Sequence, residues 1–358
     1  LGELEVGARI SVGLDKHPIA PATCVMPGLE DYHNAEFWAR SGWIAPWLKS
    51  VNPAYWPEMI ECIGDNLMPR KAGWRPYVLT DEGRNALRIQ LCLRVSQASN
   101  VFVPWLEQHR PLAGLRVLEI GCGSGSSTAG LAHAGADVTG IDIKEKPLIV
   151  ARKRMALLGF EARFIDAEPG WLETAPDAAD FEGPYDLVVC YAMLEHLQIR
   201  ERLSLLTMVR KVMERDGAML ATFETPNRFA PFDWHSTKLA FSEMLPDELA
   251  YEYARLRSPQ GSHPARQHEA YSPEAQTHIY RRGRGVSWHE FEIVFGLNHI
   301  EVVLDGYSPR SQQTHYKDDP AYEAALGELF AKLDPPVPRG FCRPSLELLI
   351  RLRARPGA

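Results

Sequence analysis

Arg116-Val-Leu-Glu-Ile-Gly-Cys-Gly-Ser-Gly-Ser126 is an apolar run that breaks into alternating glycines and then enters a helical pattern. It reads as strand, tight loop and helix. Gly121, Gly123 and Gly125 can take positive φ and let the backbone approach a ligand closely, while the start of the next helix presents free N–H groups. The stretch therefore predicts a nucleotide-type pocket. Two readings of its cofactor compete. The dinucleotide fingerprint asks for a third glycine at 126, where this chain has Ser126, and it has no place for Glu119 two residues before the first glycine.

Downstream, strands and helices alternate. Ser126 to His133 reads as a helix with Gly135 as its stop signal, and Asp137-Val-Thr-Gly-Ile-Asp142 as a second strand ending in an acid. An acid about 20 positions beyond the glycines, at a strand end, is placed to accept hydrogen bonds from ribose hydroxyls, and both nucleotide readings predict it. A helix over Pro147 to Leu158 leads to a third strand, Phe160 to Asp166, and Tyr185 to Tyr191 has the continuous apolar core of a strand buried on both faces. Gln198 to Met213 repeats apolar residues at helical spacing before Gly217, and Ala218 to Phe223 supplies strand five. Further on, a helix over Ser287 to Leu297, a strand over His299 to Leu304, a helix over Ala321 to Leu333 and a strand over Leu346 to Leu352 complete the pattern. Such alternation predicts an α/β fold, a parallel sheet with helices on both faces.

Glu119 with the G-x-G-x-G loop resembles the first motif of the class I S-adenosylmethionine-dependent methyltransferases. The resemblance is strong over residues 112–225 and looser over 287–352. It implies a Rossmann-like seven-stranded sheet closed by an antiparallel strand pair, and S-adenosyl-L-methionine as cofactor. By this resemblance Glu119 sits beneath the methionine portion, and Gly121, Cys122, Gly123 and Gly125 pass under the sugar and sulfonium. Asp142 and Ile143 then belong to the ribose, Asp166 and Ala167 to the adenine, and Tyr191 stands over the pocket. Ala192-Met-Leu-Glu-His196-Leu is similar to the L-E-H segment that many small-molecule methyltransferases carry after strand four.

Working back toward the N-terminus, residues 1–80 form an aromatic-rich extension with Phe37, Trp38, Trp43, Trp47, Tyr55, Trp56, Trp74 and Tyr77. Short helices broken by prolines are expected, with the rings packing the extension onto the main domain; a substrate wall or a homo-oligomer interface is the alternative. Thr80-Asp81 is an N-cap signal for a helix interrupted near Asn100, although Leu87, Ile89, Leu91, Leu93 and Val95 also alternate as a strand would. The chain thus divides into the extension (1–80), a cofactor-binding core (81–225), a substrate-side insertion or lid (226–286) and the C-terminal part of the core sheet (287–358).

The insertion is about sixty residues long, against the roughly 2–6 that a βα connection needs. Its opening, Glu224-Thr-Pro-Asn-Arg-Phe-Ala-Pro-Phe-Asp-Trp-His235, looks like the T-P-N-R…D-x-H segment of bacterial methyltransferases associated with surface sugars and related small molecules. Methyl transfer is an in-line displacement that mainly needs alignment, and a hydroxyl nucleophile also needs its proton taken. His235, His196 and Asp233 are the candidate bases, with Glu195 and Glu224 as hydrogen-bonding alternatives. Arg281, Arg282 and Arg284 read as a solvated loop, or as a subsite for a phosphate or carboxylate. His263, His268, His278 and His289 match no zinc spacing, so no metal site is expected from them.

Composition sets the outer bounds. Hydrophobic content of 45% and charged content of 24% fit an ordinary globular protein, and a net charge of −7 argues against a general nucleic-acid binder. Six scattered cysteines without C-x-x-C pairs fit reduced thiols, and no apolar run reaches the roughly 20 residues of a membrane span. A cytoplasmic enzyme that O-methylates a small-molecule acceptor, such as a sugar or glycoconjugate, is the reading that results. N- or C-methylation, a nicotinamide oxidoreductase and a silent cofactor-binding partner are its competitors.

Overall fold

The computed structural model describes residues 32–33, 35–39, 44–68, 73–174, 181–216, 220–259, 270–306 and 320–353. Trp43, Gly217, His263 and His268 lie outside them, as do Ala218 and Met219 at the expected start of strand five.

Seven strands form one sheet: β1 (Arg116–Ile120), β2 (Asp137–Asp142), β3 (Arg163–Asp166), β4 (Leu187–Tyr191), β5 (Leu220–Pro226), β6 (Ile300–Asp305) and β7 (Ser345–Leu352). Their order is β3-β2-β1-β4-β5-β7-β6. The pairs among β1 to β5 are parallel, and β7 runs antiparallel to both β5 and β6. This is the Rossmann-like class I methyltransferase sheet that the resemblance implies.

The central strands are buried on both faces, and their side chains alternate between two apolar layers, whereas the edge strands β3 and β6 are only half-buried. Leu118, Ile120, Val188, Cys190, Ala221 and Phe223 face a cluster that contains Leu205, Met208, Val209 and Val212 of the helix Ile199–Asp216 and Phe291 and Phe295 of the helix Trp288–Phe295. Val117, Val138, Leu187, Val189 and Leu349 face the other layer, with Phe102, Trp105, Leu106 and Leu131. Helices therefore cover both faces, as the connections of a parallel sheet require.

The segment before β1 is helical, and the strand-like alternation within it misleads. Leu87, Leu91, Val95, Ala98, Phe102 and Leu106 are buried. Their spacing, mostly a step of four, overshoots the 3.6-residue turn of an α-helix. Two π-helical turns, Ile89–Leu93 and Ala98–Phe102, take up the excess and keep these residues on one face. The second coincides with the interruption expected near Asn100. Thr80 caps the N-terminus by accepting the Gly83 N–H at 3.1 Å.

Among the described residues of the extension, Tyr55–Leu67 is the longest helix, accompanied by Ala35–Ala39, Pro46–Ser50 and Trp74–Val78. Its rings pack inward. Tyr32, Trp38, Tyr55, Trp56 and Trp74 share a buried cluster with Ala129, Val150 and Met155 of the helices that follow β1 and β2. Cys62, Cys92, Cys122, Cys190 and Cys342 are free thiols. Among the described residues no helix is long and apolar enough to cross a membrane.

Candidate active site at the carboxyl ends of the strands

The order of the strands reverses between β1 and β4, and the segments after both enter the crevice there, where open α/β sheets bind ligands. After β1, Gly121, Gly123 and Gly125 have φ of +74°, +53° and +70°. Gly121 is doubly constrained, since a Cβ there would also lie 2.9 Å from the Met193 Cβ. That contact lays the segment after β4 directly against the first glycine. Cys122 packs its sulfur against Gly140, and burial pushes its thiol pKa up.

Asp142 at the end of β2 binds the loop from the side. Its Oδ2 accepts the Gly123 N–H at 2.9 Å, and its Oδ1 accepts the Lys144 N–H at 2.9 Å. Glu119 is 1% exposed and accepts hydrogen bonds from the Ser127 hydroxyl and, at 2.5 Å, the Thr128 hydroxyl, both on the helix after the loop. Burial pushes its pKa up to about 7 against the lowering effect of those two bonds. Glu119, the glycines and Asp142 thus form one connected constellation. Ile143 follows in the turn after β2, half-buried.

Asp166 pairs in register with Asp142 and is exposed at the end of β3. The Ala167 N–H is committed to the Asp142 carbonyl at 3.0 Å, which removes it as a donor to a ligand. Tyr191 ends β4 opposite Glu224 of β5 and packs on Phe102, ring centroids 4.7 Å apart.

Beyond β4, Ala192 takes a left-handed φ of +51°, a strained conformation for a residue with a Cβ. The chain then enters a short 3-10 turn, Leu194–His196. Glu195 is buried, and its Oε2 accepts the Thr225 hydroxyl at 3.0 Å. Its Oε1 lies 3.8 Å from His196 Nε2 and 3.9 Å from His235 Nε2. His235 arrives from the insertion 39 residues later, and the two imidazole centroids are 5.5 Å apart. Burial and the neighbouring His235 push the His196 pKa down to about 4, whereas burial pushes that of Glu195 up to about 7.

This turn is tied to the insertion from several sides. The Arg284 N–H donates to the Glu195 carbonyl at 2.9 Å. Arg202, fully buried, donates to the carbonyls of Glu195, Leu197, Arg284 and Gly285. His196 Nδ1 meets the Arg281 carbonyl at 3.1 Å, and Arg281 returns a bond to the His196 carbonyl. Gly283 lies flat against His235, where a Cβ would come 2.2 Å from the ring Nδ1.

Two sequence expectations need correction. Asp233 is not placed as a base: its carboxylate accepts the His235, Ser236 and Thr237 N–H groups and the Ser236 hydroxyl, which hold its pKa below the ordinary value despite burial. It shapes the turn that carries His235. The arginine cluster is not one open anion subsite. Arg284 is buried between Glu243 at 3.4 Å and Asp247 at 3.3 Å, whereas Arg281 and Arg282, at the end of the helix Pro273–Arg282, are exposed to solvent, Arg281 pairing with Glu201 at 2.6 Å.

Other residues carry no motif. Arg154 is fully buried on the helix Glu145–Leu158 and donates to the Ser124 carbonyl of the glycine loop, the Gln90 and Leu91 carbonyls and the Tyr55 hydroxyl. The signal for it is an arginine on the apolar stripe that Leu148, Ala151 and Met155 define.

With this geometry in place, comparisons with known proteins are informative. Residues 117–217 match a family described as a methyltransferase domain. Curated relatives include the ubiquinone biosynthesis O-methyltransferases of Azotobacter vinelandii, 42% identical over 95 residues, and of Thiobacillus denitrificans, 43% identical over 94. Each alignment spans 26% of this chain, and the chain spans only 39% and 38% of those proteins. Among solved structures, the magnesium protoporphyrin IX methyltransferase of Synechocystis PCC 6803 with bound SAH is 17% identical, covering 84% of this chain and 94% of its own at a TM-score of 0.43. The fold assignment rests on the strand order and not on that likeness. Residues 117–217 of this chain thus form a methyltransferase domain, set in a sheet with the strand order and glycine loop of the class I S-adenosylmethionine-dependent fold.

Proposed function

We propose that this chain transfers a methyl group from S-adenosyl-L-methionine to a hydroxyl of a small molecule. The observation that carries the reading is the Gly121–Met193 contact, which sets the segment bearing Glu195 and His196 against the first glycine of a nucleotide-type loop. The Glu119 and Asp142 side chains support an adenosyl-sulfonium ligand on the loop side. On the other side, Glu195, His196 and His235 receive the acceptor hydroxyl and assist its loss of a proton, the imidazoles acting as bases when nothing else is bound. The O-methyltransferase relatives favour oxygen over nitrogen or carbon as the target. A sugar or glycoconjugate is the finer proposal, supported by the 224–235 segment.

Thermal unfolding with S-adenosylhomocysteine and, separately, with NAD is the test. S-adenosylhomocysteine at 100 times its Kd is expected to stabilise the fold by about 2.7 kcal/mol, and NAD to leave the melting temperature unchanged. The reverse pattern overturns the proposal in favour of a nicotinamide enzyme. Binding of S-adenosylhomocysteine with no methylated product from any acceptor library points to a non-catalytic partner.

A further inference from the structure

The spacing of Glu195, His196 and His235 is wrong for hydrogen bonds and close to right for a shared ion. Direct bonds between imidazole nitrogen and carboxylate oxygen need about 2.7–3.2 Å, whereas Glu195 Oε1 stands 3.8 and 3.9 Å from the two Nε2 atoms. One donor atom from each residue lies within 4.8 Å of the other two. Donors bound tetrahedrally at about 2.1 Å from one centre sit roughly 3.4 Å apart, so small side-chain rotations close the set.

We propose that Glu195, His196 and His235 bind a divalent transition-metal cation of the zinc type, on the acceptor side of the crevice, through one carboxylate oxygen and two Nε2 atoms. Each ligand is oriented by a second contact. The partner of His196 Nδ1 is the Arg281 carbonyl, an acceptor only, so Nδ1 carries the proton and Nε2 presents its lone pair to Glu195. The Thr225 hydroxyl holds the far oxygen of Glu195, which aims Oε1 between the rings. Gly283 packs against the His235 ring, and Asp233 Oδ1 accepts the His235 N–H. Two imidazoles and one carboxylate select a first-row transition metal over magnesium, which prefers oxygen donors.

The site is also open on one side. The Glu195 side chain is 2% exposed, but those of His196 and His235 are 41% and 28% exposed, so a further coordination position faces the crevice, as in catalytic rather than structural metal sites. For the chemistry, this inference rests on the methyl-transfer reading. The acceptor hydroxyl coordinates the cation and loses its proton to solvent. Its oxygen then forms the bond to the methyl carbon as the carbon–sulfur bond breaks, and that electron pair leaves on sulfur as a neutral thioether. With the cation bound, neither imidazole serves as the base.

Binding is tested apart from activity. The full chain, stripped with EDTA, is titrated with Zn2+ by calorimetry and with Co2+ by visible absorption. One equivalent per chain is expected, with cobalt d–d bands that report nitrogen and oxygen ligation. Glu195→Gln, His196→Gln and His235→Gln are each expected to weaken binding ~100-fold or more, and His289→Ala, whose ring engages Ser287, to change nothing. Cooperative melting of each variant shows that it is folded. Absence of a stoichiometric site, or binding that persists in folded Glu195→Gln and His235→Gln, overturns the inference and leaves the gap to water. S-adenosylhomocysteine binding without metal binding sinks this inference alone, whereas metal binding without any response to S-adenosylhomocysteine sinks the methyl-transfer reading alone.

Discussion

The glycine loop and the histidine cluster both follow the carboxyl ends of neighbouring parallel strands, yet they are built in opposite ways. The first is made within residues 119–142, and backbone conformation does most of its shaping, through three positive φ angles and a carboxylate that takes a loop N–H. The second needs Glu195 and His196 after β4, Thr225 on β5, His235 in the insertion and Arg281 and Gly283 at the end of a further helix. Side-chain geometry across some ninety residues does the work there. A site fixed by local backbone keeps its ligand class as sequences diverge, whereas a site assembled from distant loops changes with those loops. The domain match spans the loop, Glu195 and His196 and stops before His235.

The comparison breaks most sharply at Arg284. Replacing it with methionine leaves Glu243 buried without its partner, at a cost of about 3–5 kcal/mol in urea unfolding. At temperatures where this variant stays folded, S-adenosylhomocysteine affinity is expected to hold while acceptor turnover falls; equal loss of both shows that the two regions are not independent. Gly121→Ala is the opposite probe. Its methyl group meets Met193 in a left-handed backbone, so about 1–3 kcal/mol of strain is expected, read as weaker S-adenosylhomocysteine binding by calorimetry. Unchanged affinity removes the loop from the cofactor site.

Glu119 offers the most specific effect, and per pH unit the smallest. Its folded pKa, raised by burial to about 7 from 4.5, means the native state keeps a proton that the unfolded chain releases. Stability from this group is full below the unfolded value and is lost as pH rises through the folded one, at no more than about 1.4 kcal/mol per pH unit. Glu119→Gln is expected to flatten the decline between pH 5 and 7, by up to about 1.4 kcal/mol for each pH unit, in urea melts of the ligand-free protein. An unaltered pH slope shows that Glu119 is already ionised in the fold.

What was legible in the sequence follows the same division. The bounds of β2 and the helix Ser126–His133 agree with expectation to the residue, because an apolar run ending in an acid and the flanking positive-φ glycines leave local marks. Strand five runs on to Pro226 because β7 pairs with it through Ser345, a partner 119 residues away. The pairing of Arg281 with Glu201, and of Arg284 with Glu243 and Asp247, was hidden for the same reason. Their spacing looked like a charged loop, and only packing reveals which charges are enclosed. His196 and His235 were each identifiable as reactive side chains, but that both point at one carboxylate oxygen is a fact of the tertiary structure alone.

Arg154 joins the Tyr55 hydroxyl to the Ser124 carbonyl through one enclosed guanidinium. The aromatic extension is therefore more than an outer coat. Two hydrogen bonds through one side chain separate the helix Tyr55–Leu67 from the glycine loop, so the extension buttresses that loop from behind.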